Sequence, residues 1–276
     1  MLWHCSAATE TYSIDMKRHG IYAAMRPLSV LAAAFVLAFL NTGCRRSGPG
    51  DFTDREKALI HEASEGRELA SAVPSGTMRV LTIEDSLDLT VLRGISRDLS
   101  ADALLSEEFA MLSRLMVATV THPTQDGVGI AAPQVGLNRR VVAVQRFDKE
   151  GEPFEVYPNI RIVCLSDSVA YGPEGCLSVP DMRADVLRSK EVVIEYTDME
   201  RLKETASEQS PRKLRKRLER EYGAGRSYGR KAGGEAGWRA GGAPLPTVRD
   251  TISGFTAVIF QHETDHLDGI LYVDRL

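Results

Sequence analysis

Residues 261–269 read QHETDHLDG. On a helix, His262 and His266 lie four positions apart and project from one face. Two imidazoles at that spacing bind one metal ion, and Glu263 beside them serves as a general acid/base. A solvated helix can carry the same pattern, so its meaning depends on its company. A catalytic ion also needs a ligand from elsewhere in the chain, which makes this stretch the tightest constraint on the fold.

Two further stretches supply that company. Residues 127–134 read GVGIAAPQ, and residues 174–178 read EGCLS. Cys176 offers a thiolate as the third ligand. Asp265 completes HExDH rather than any HExxH. Taken in order, the blocks GxGxAAxQ, EGCLS and HExDH match residue by residue, and the chain resembles the peptide deformylases. The resemblance runs from about residue 83 to 276, apart from one long insert.

Cys176, His262 and His266 plus one water form a catalytic rather than a structural ligand set, because one position stays open. A thiolate with two imidazoles suits Fe(II) or Zn(II). The resemblance favours one Fe(II) ion, with zinc, nickel or cobalt as substitutes. Such an ion makes water a nucleophile near neutral pH. The implied reaction removes the formyl group from the N-terminal formyl-methionine of newly made polypeptides and releases formate. Glu263 would move the proton. The resemblance gives the oxyanion donors as the Gln134 side-chain amide and the Leu177 backbone N–H. It makes Gly127 and Gly129 partners of the substrate backbone. Phe255, Val258 and Ile259 resemble the wall that receives the methionine side chain, and plain core packing would explain them equally well.

Net charge is −4, with 43% hydrophobic and 26% charged residues, so the chain is globular and its charge excludes a general nucleic-acid binder. Of four cysteines, Cys5 and Cys44 fall in a targeting region. Cys164 and Cys176 are too few for a disulfide framework. Cys164, within IRIVCL, reads as a buried small hydrophobe.

Residues 28–40 (LSVLAAAFVLAFL) form an apolar run too short for a membrane span but suited to a signal-peptide core. Lys17, Arg18 and Arg26 precede it and Cys44 follows it. This order resembles a lipoprotein leader in which Cys44 is lipidated, although Asn41 occupies a usually aliphatic position. Glu10 and Asp15 suit no n-region, which moves the expected start to Met16 or Met25. The alternative is a cytoplasmic protein with a misassigned start. The expected organisation is a leader over residues 1–44, a tether over 45–77 with a solvated helix across 53–72, and a catalytic domain over 78–276. Strands are expected at 79–83, 139–146, 154–165, 190–197 and 270–273, and helices at 106–120 and 251–268. The fold class is α+β, with mostly antiparallel sheets packed around a central helix carrying HExDH. Residues 199–248 read as a flexible insert, basic from Arg212 to Arg220 and then glycine-rich. Deleting 202–242 should spare catalysis on short peptides.

Two other functions remain open. An HExxH zinc peptidase shares the helix, but it usually takes its third ligand downstream, where Asp268 and Asp274 are the sole carboxylates. It would also leave EGCLS and AAPQ without a purpose. A non-catalytic envelope lipoprotein of the same fold would not need every catalytic position intact. An exported form would meet exported, still-formylated chains and no ribosome. A monomer is expected.

Overall fold

The computed structural model describes residues 3–5, 48, 50–65, 74–208 and 245–276. The leader's apolar run, Cys44, the basic cluster and the glycine-rich half of the insert lie outside them.

Alternating and continuous apolar runs set the sheets. A four-stranded antiparallel sheet has the order β1–β5–β8–β9, with β1 at Trp3–Cys5, β5 at Arg161–Ser166, β8 at Glu191–Thr197 and β9 at Thr247–Ser253. A three-stranded antiparallel sheet joins β2 (Gly129–Ala131), β3 (Val141–Gln145) and β4 (Phe154–Pro158). The third sheet is a long hairpin of β6 (Val169–Cys176) and β7 (Val179–Ser189). The sequence motifs had not revealed this hairpin, because glycine, proline and charged residues interrupt it.

Strand β3 is apolar on both faces because both are covered. Val141 and Ala143 pack in one core with helix α4 (Glu107–Val120), which follows the short helices α2 (Ser86–Leu92) and α3 (Ala101–Leu104), while Val142 and Val144 pack in a second core. Helix α4 buries Phe109, Leu112, Met116 and Val120 as its periodicity predicts, and Ser106 caps it by accepting from the Phe109 N–H. The second core receives helix α6 (Gly254–Leu267), whose residues Ile259–Leu267 are all buried. Residues 251–253 finish β9 rather than open this helix. Beyond it, Gly269 has φ +71°, and a Cβ there would lie 2.5 Å from the Arg93 carbonyl oxygen. Only glycine lets the chain turn at that spot.

Several expectations need correction. Residues 45–77 are not simply a tether. Helix α1 (Asp54–Ser64) buries Ile60 and Ala63, and Phe52 before it is buried in the same core. Arg139 clamps this segment through Glu56 Oε1 at 2.7 Å. Dense surrounding charge had hidden these few apolar positions. The insert is shorter than expected, because Met199–Glu208 is a helix, α5, whose Leu202 is 4% exposed in the first core. Residues 247–248 belong to β9. Residues 79–83 form no strand, yet the Leu81 and Ile83 N–H groups donate to the carbonyls of Gln134 and Ser178. Residues 154–165 split into β4 and β5. The C-terminal stretch is a 3₁₀ turn, Tyr272–Arg275, rather than a strand. Cys164 is half-buried and disulfide-bonded, with Cys5 opposite it in register, so it is not a buried hydrophobe.

The packed α1 makes a direct prediction. Ile60→Ala should lower the urea-unfolding free energy by about 2–5 kcal/mol, as a buried truncation does. A change within about 0.5 kcal/mol would return the helix to solvent.

Candidate active site

Strand β6 delivers Cys176, and two turns of α6 deliver His262 and His266. Their ligand atoms all lie within 4.8 Å of one another. Cys176 Sγ is 3.2 Å from His266 Nε2. One thiolate and two imidazoles from two elements suit a borderline-soft divalent cation.

A buried charge network sets the ring positions. Glu174 Oε2 lies 2.9 Å from His262 Nδ1, which leaves Nε2 as that ring's other nitrogen. Arg188, on the partner strand β7, donates to Glu174 at 2.7 and 3.0 Å and to Asp265 Oδ2 at 2.6 Å. Arg275 donates to both oxygens of Asp265, sharing Oδ2 with Arg188 at 2.5 Å and reaching Oδ1 as well. Glu174, Arg188 and Asp265 are all buried. Burial alone would raise the Glu174 pKa, but Arg188 and His262 hold it down at about 2. Burial likewise works against the charged form of His262, yet its bonds to Cys176 and Glu174 prevail and raise it to about 10. His266 goes the other way: burial, then the charges of His262 and Arg188, push it well below the usual imidazole value. Neutral His266 has a lone pair to offer, and at His262 a bound cation would take the place of the proton.

Glu263 lies between the histidines in sequence but makes none of these bonds. Its Oε2 is buried without a hydrogen-bond partner among the described residues. Burial raises its pKa to about 7; Glu174 adds to the shift, and His262 and Arg188 oppose it. A carboxyl poised there exchanges protons near neutral pH. Gly129 packs against it, and a Cβ at that position would lie 2.5 Å from Glu263 Oε1 and 2.8 Å from Ile259 Cγ2. Neither Gly127 nor Gly129 has positive φ, so close approach, not left-handed backbone, explains these glycines.

Gln134 is held from behind. Its Oε1 accepts from the Ala131 N–H at 2.8 Å, which turns Nε2 toward Ser178 Oγ at 3.3 Å and Cys176 Sγ at 3.6 Å. A cleft of about 780 Å³ lies over these groups. Gly127, Gly129, Gln134, Cys176, Leu177, Phe255, Val258, Ile259, His262 and Glu263 all line it, while His266 is buried behind Cys176. Every site residue expected from the sequence thus converges here. Phe255 is 55% exposed and is therefore no core residue, whereas Ile259 both lines the cleft and packs in the second core. Sequence reasoning missed Arg188 and Arg275 and gave Glu174 no role. The HExDH aspartate was the available signal, since a buried carboxylate beside two ligands needs a cation.

These features define a class, a metal-dependent hydrolase with a thiolate and two imidazoles at its centre. The sequence matches the polypeptide deformylase family over residues 78–210 and 246–276. It is 33% identical over 188 residues to peptide deformylase 2 of Gloeobacter violaceus, covering 67% of this chain and 74% of that one. It is 29% identical over 193 residues to the peptide deformylase of Leptospira biflexa, covering 67% and 82% respectively. The Met-Ala-Ser-bound class I type b peptide deformylase of Acinetobacter baumannii has 28% identity and a TM-score of 0.50, over 72% of this chain and 98% of that one. The chain belongs to the peptide deformylase family, metal-dependent hydrolases that remove N-formyl groups from nascent peptides.

The Glu174–His262 bond yields a prediction. Glu174→Gln should weaken metal binding by about 10–100-fold in a chelator competition titration, as loss of a partner behind a ligand does. Unchanged affinity would mean that Glu174 does not orient His262.

Proposed function

We propose that this deformylase acts on N-terminal formyl-methionine with Glu263 as the proton-transfer group and Cys176, His262 and His266 as the metal ligands. The observation that carries this reading is the unpartnered Glu263 Oε2, buried at a cleft that also holds the ligand cluster. A divalent cation supplies, when bound, polarisation of the carbonyl and activation of water. Glu263 accepts a proton from the attacking water and returns it to the leaving amine, so that formamide and water become formate and a free N-terminal amine. Gln134 Nε2 and the Leu177 backbone N–H donate to the oxygen as it gains charge. Gly127 and Gly129 leave room for the substrate backbone, and Phe255, Val258 and Ile259 receive the methionine side chain. Fe(II) is the proposed native ion and Zn(II) the alternative; a mixed thiolate and imidazole set supports both.

The Acinetobacter neighbour is bound to Met-Ala-Ser, which makes formyl-Met-Ala-Ser the natural assay substrate. Cys176→Ala, His262→Ala and His266→Ala should each lose stoichiometric metal. Glu263→Ala should keep the metal while kcat falls about 10²-fold or more. Gln134→Leu should lower kcat by about 10²–10³ with the fold intact. A Cys176→Ala protein that keeps both metal and turnover, or an enzyme that cleaves internal peptides instead, would defeat the assignment.

We also propose that the chain is exported and anchored through lipidated Cys44, on the order of Lys17-Arg18, the apolar run and Cys44, in which case the processed chain lacks β1 and the Cys5 that lies opposite Cys164. Residues 212–220 then contact anionic lipid rather than ribosomal RNA. No helix among the described residues is long and apolar enough to cross a membrane, so attachment in this proposal rests on the acyl anchor. Because Leu202 is buried in the core, the deletion that should spare catalysis is residues 211–244, not 202–242. The native protein, detected at its C-terminus, should fractionate with membranes. A soluble full-length species that co-sediments with ribosomes would overturn this.

A further inference from the structure

The C-terminal 3₁₀ turn reaches the active site by a route that the reaction above does not use. Arg93 holds this turn through the Gly269 carbonyl at 3.2 Å and Asp274 Oδ1 at 3.0 Å. Arg275 ties its far end to Asp265. Between these anchors Tyr272 is 1% exposed and packs with Val179 and Val186 of β7. Its ring is stacked on that of His262, with centroids 6.0 Å apart and planes 27° from parallel. A buried phenol needs a hydrogen-bond partner, and the Tyr272 hydroxyl donates to the Met182 carbonyl at 2.9 Å.

That carbonyl belongs to an irregular piece of β7. Gly175 pairs with Arg183, yet the next residue of β6, Cys176, pairs with Val179. Pro180, Asp181 and Met182 therefore have no opposite residue on β6 and stand out as a bulge. Asp181 has φ +59°, a conformation that Asp adopts more readily than most residues. Asp181, Met182 and Arg183 line the active-site cleft, and Met182 is 46% exposed. The bulge is thus the lip of the cleft on the hairpin side. In the reading above, the first side chain of the substrate lies against α6, on Phe255, Val258 and Ile259. The lip is a different wall, left for the peptide beyond that residue.

We infer that Tyr272 is a positioning residue whose hydroxyl, through the Met182 carbonyl, fixes the lip against which the peptide beyond its first residue binds. The inference rests on the deformylase reading above. A phenylalanine would fill the same space beside His262, Val179 and Val186, but it would leave the Met182 carbonyl without this donor. The hydroxyl bonds to the lip and not to a ligand or to Glu263, so its effect falls on substrate binding rather than on proton transfer.

The test compares the full metallated chain with Tyr272→Phe, which keeps the ring and removes the hydroxyl. KM for formyl-Met-Ala-Ser should rise about fivefold, as loss of one hydrogen bond implies, with kcat within about twofold. For formyl-methioninamide, which ends before the lip, kcat/KM should stay within about twofold. Metal affinity in a chelator competition titration should be unchanged. A fall in kcat/KM shared equally by both substrates, an unchanged KM for the tripeptide, or a loss of metal would overturn the inference, because a purely structural role or one exerted through His262 acts on both substrates alike. Absence of formyl-Met-Ala-Ser turnover in the unaltered chain would instead defeat the underlying activity.

Discussion

The ion-pair chain from Glu174 through Arg188 to Asp265 is the interaction on which the rest of the site depends. It joins β6, β7 and α6, and Arg275 extends it to the C-terminal turn. Taking such charges out of water costs several kcal/mol per ion, so the network is weak as a source of net stability. Its effect is positional. Removing either end would leave Arg188 buried against a single carboxylate, which forces hairpin and helix into one arrangement. In that arrangement His262 is fixed by Glu174, and Cys176 follows two residues further along the same strand.

The same network separates the charge states of neighbouring groups. Glu174 is held ionised, His266 is held neutral, and Glu263 is pushed toward the protonated form. All three are buried, so burial by itself does not distinguish them. Glu174 is paired directly with Arg188, whereas Glu263 Oε2 has no partner among the described residues. A ligand, its support and a proton carrier can therefore share five consecutive helical positions and one adjacent strand. Gly129 completes the arrangement by bringing the β2 backbone against Glu263 with no Cβ between them.

Packed elements surround the cleft. Strand β3 has one core on each face, and α6 fills the second of them. Helices α1 and α5 add to the first core from segments whose composition suggests solvent. Placing them there moves the boundary of the packed domain back to about Asp51 and narrows the insert. The family match resumes at residue 246, next to β9, in agreement with that narrower insert.

The three motif blocks were legible in the sequence because their chemistry is local. Helical spacing puts His262 and His266 on one face, and a glycine marks where backbone must come close. Helix α4 was legible for the same reason, since its apolar residues repeat within one element. Only the tertiary structure selected Arg188 and Arg275 from the many basic residues, because partnership across β6, β7 and α6 depends on register. It also showed that Asp54–Ser64, within the stretch expected as a solvated helix, is a packed one: Phe52 and Ile60 are too few to show a periodicity, and burial depends on what lies opposite them. Sequence fixes which groups are available and how neighbours project, whereas distances between remote segments, and hence charge states and cavity shape, arise only on packing.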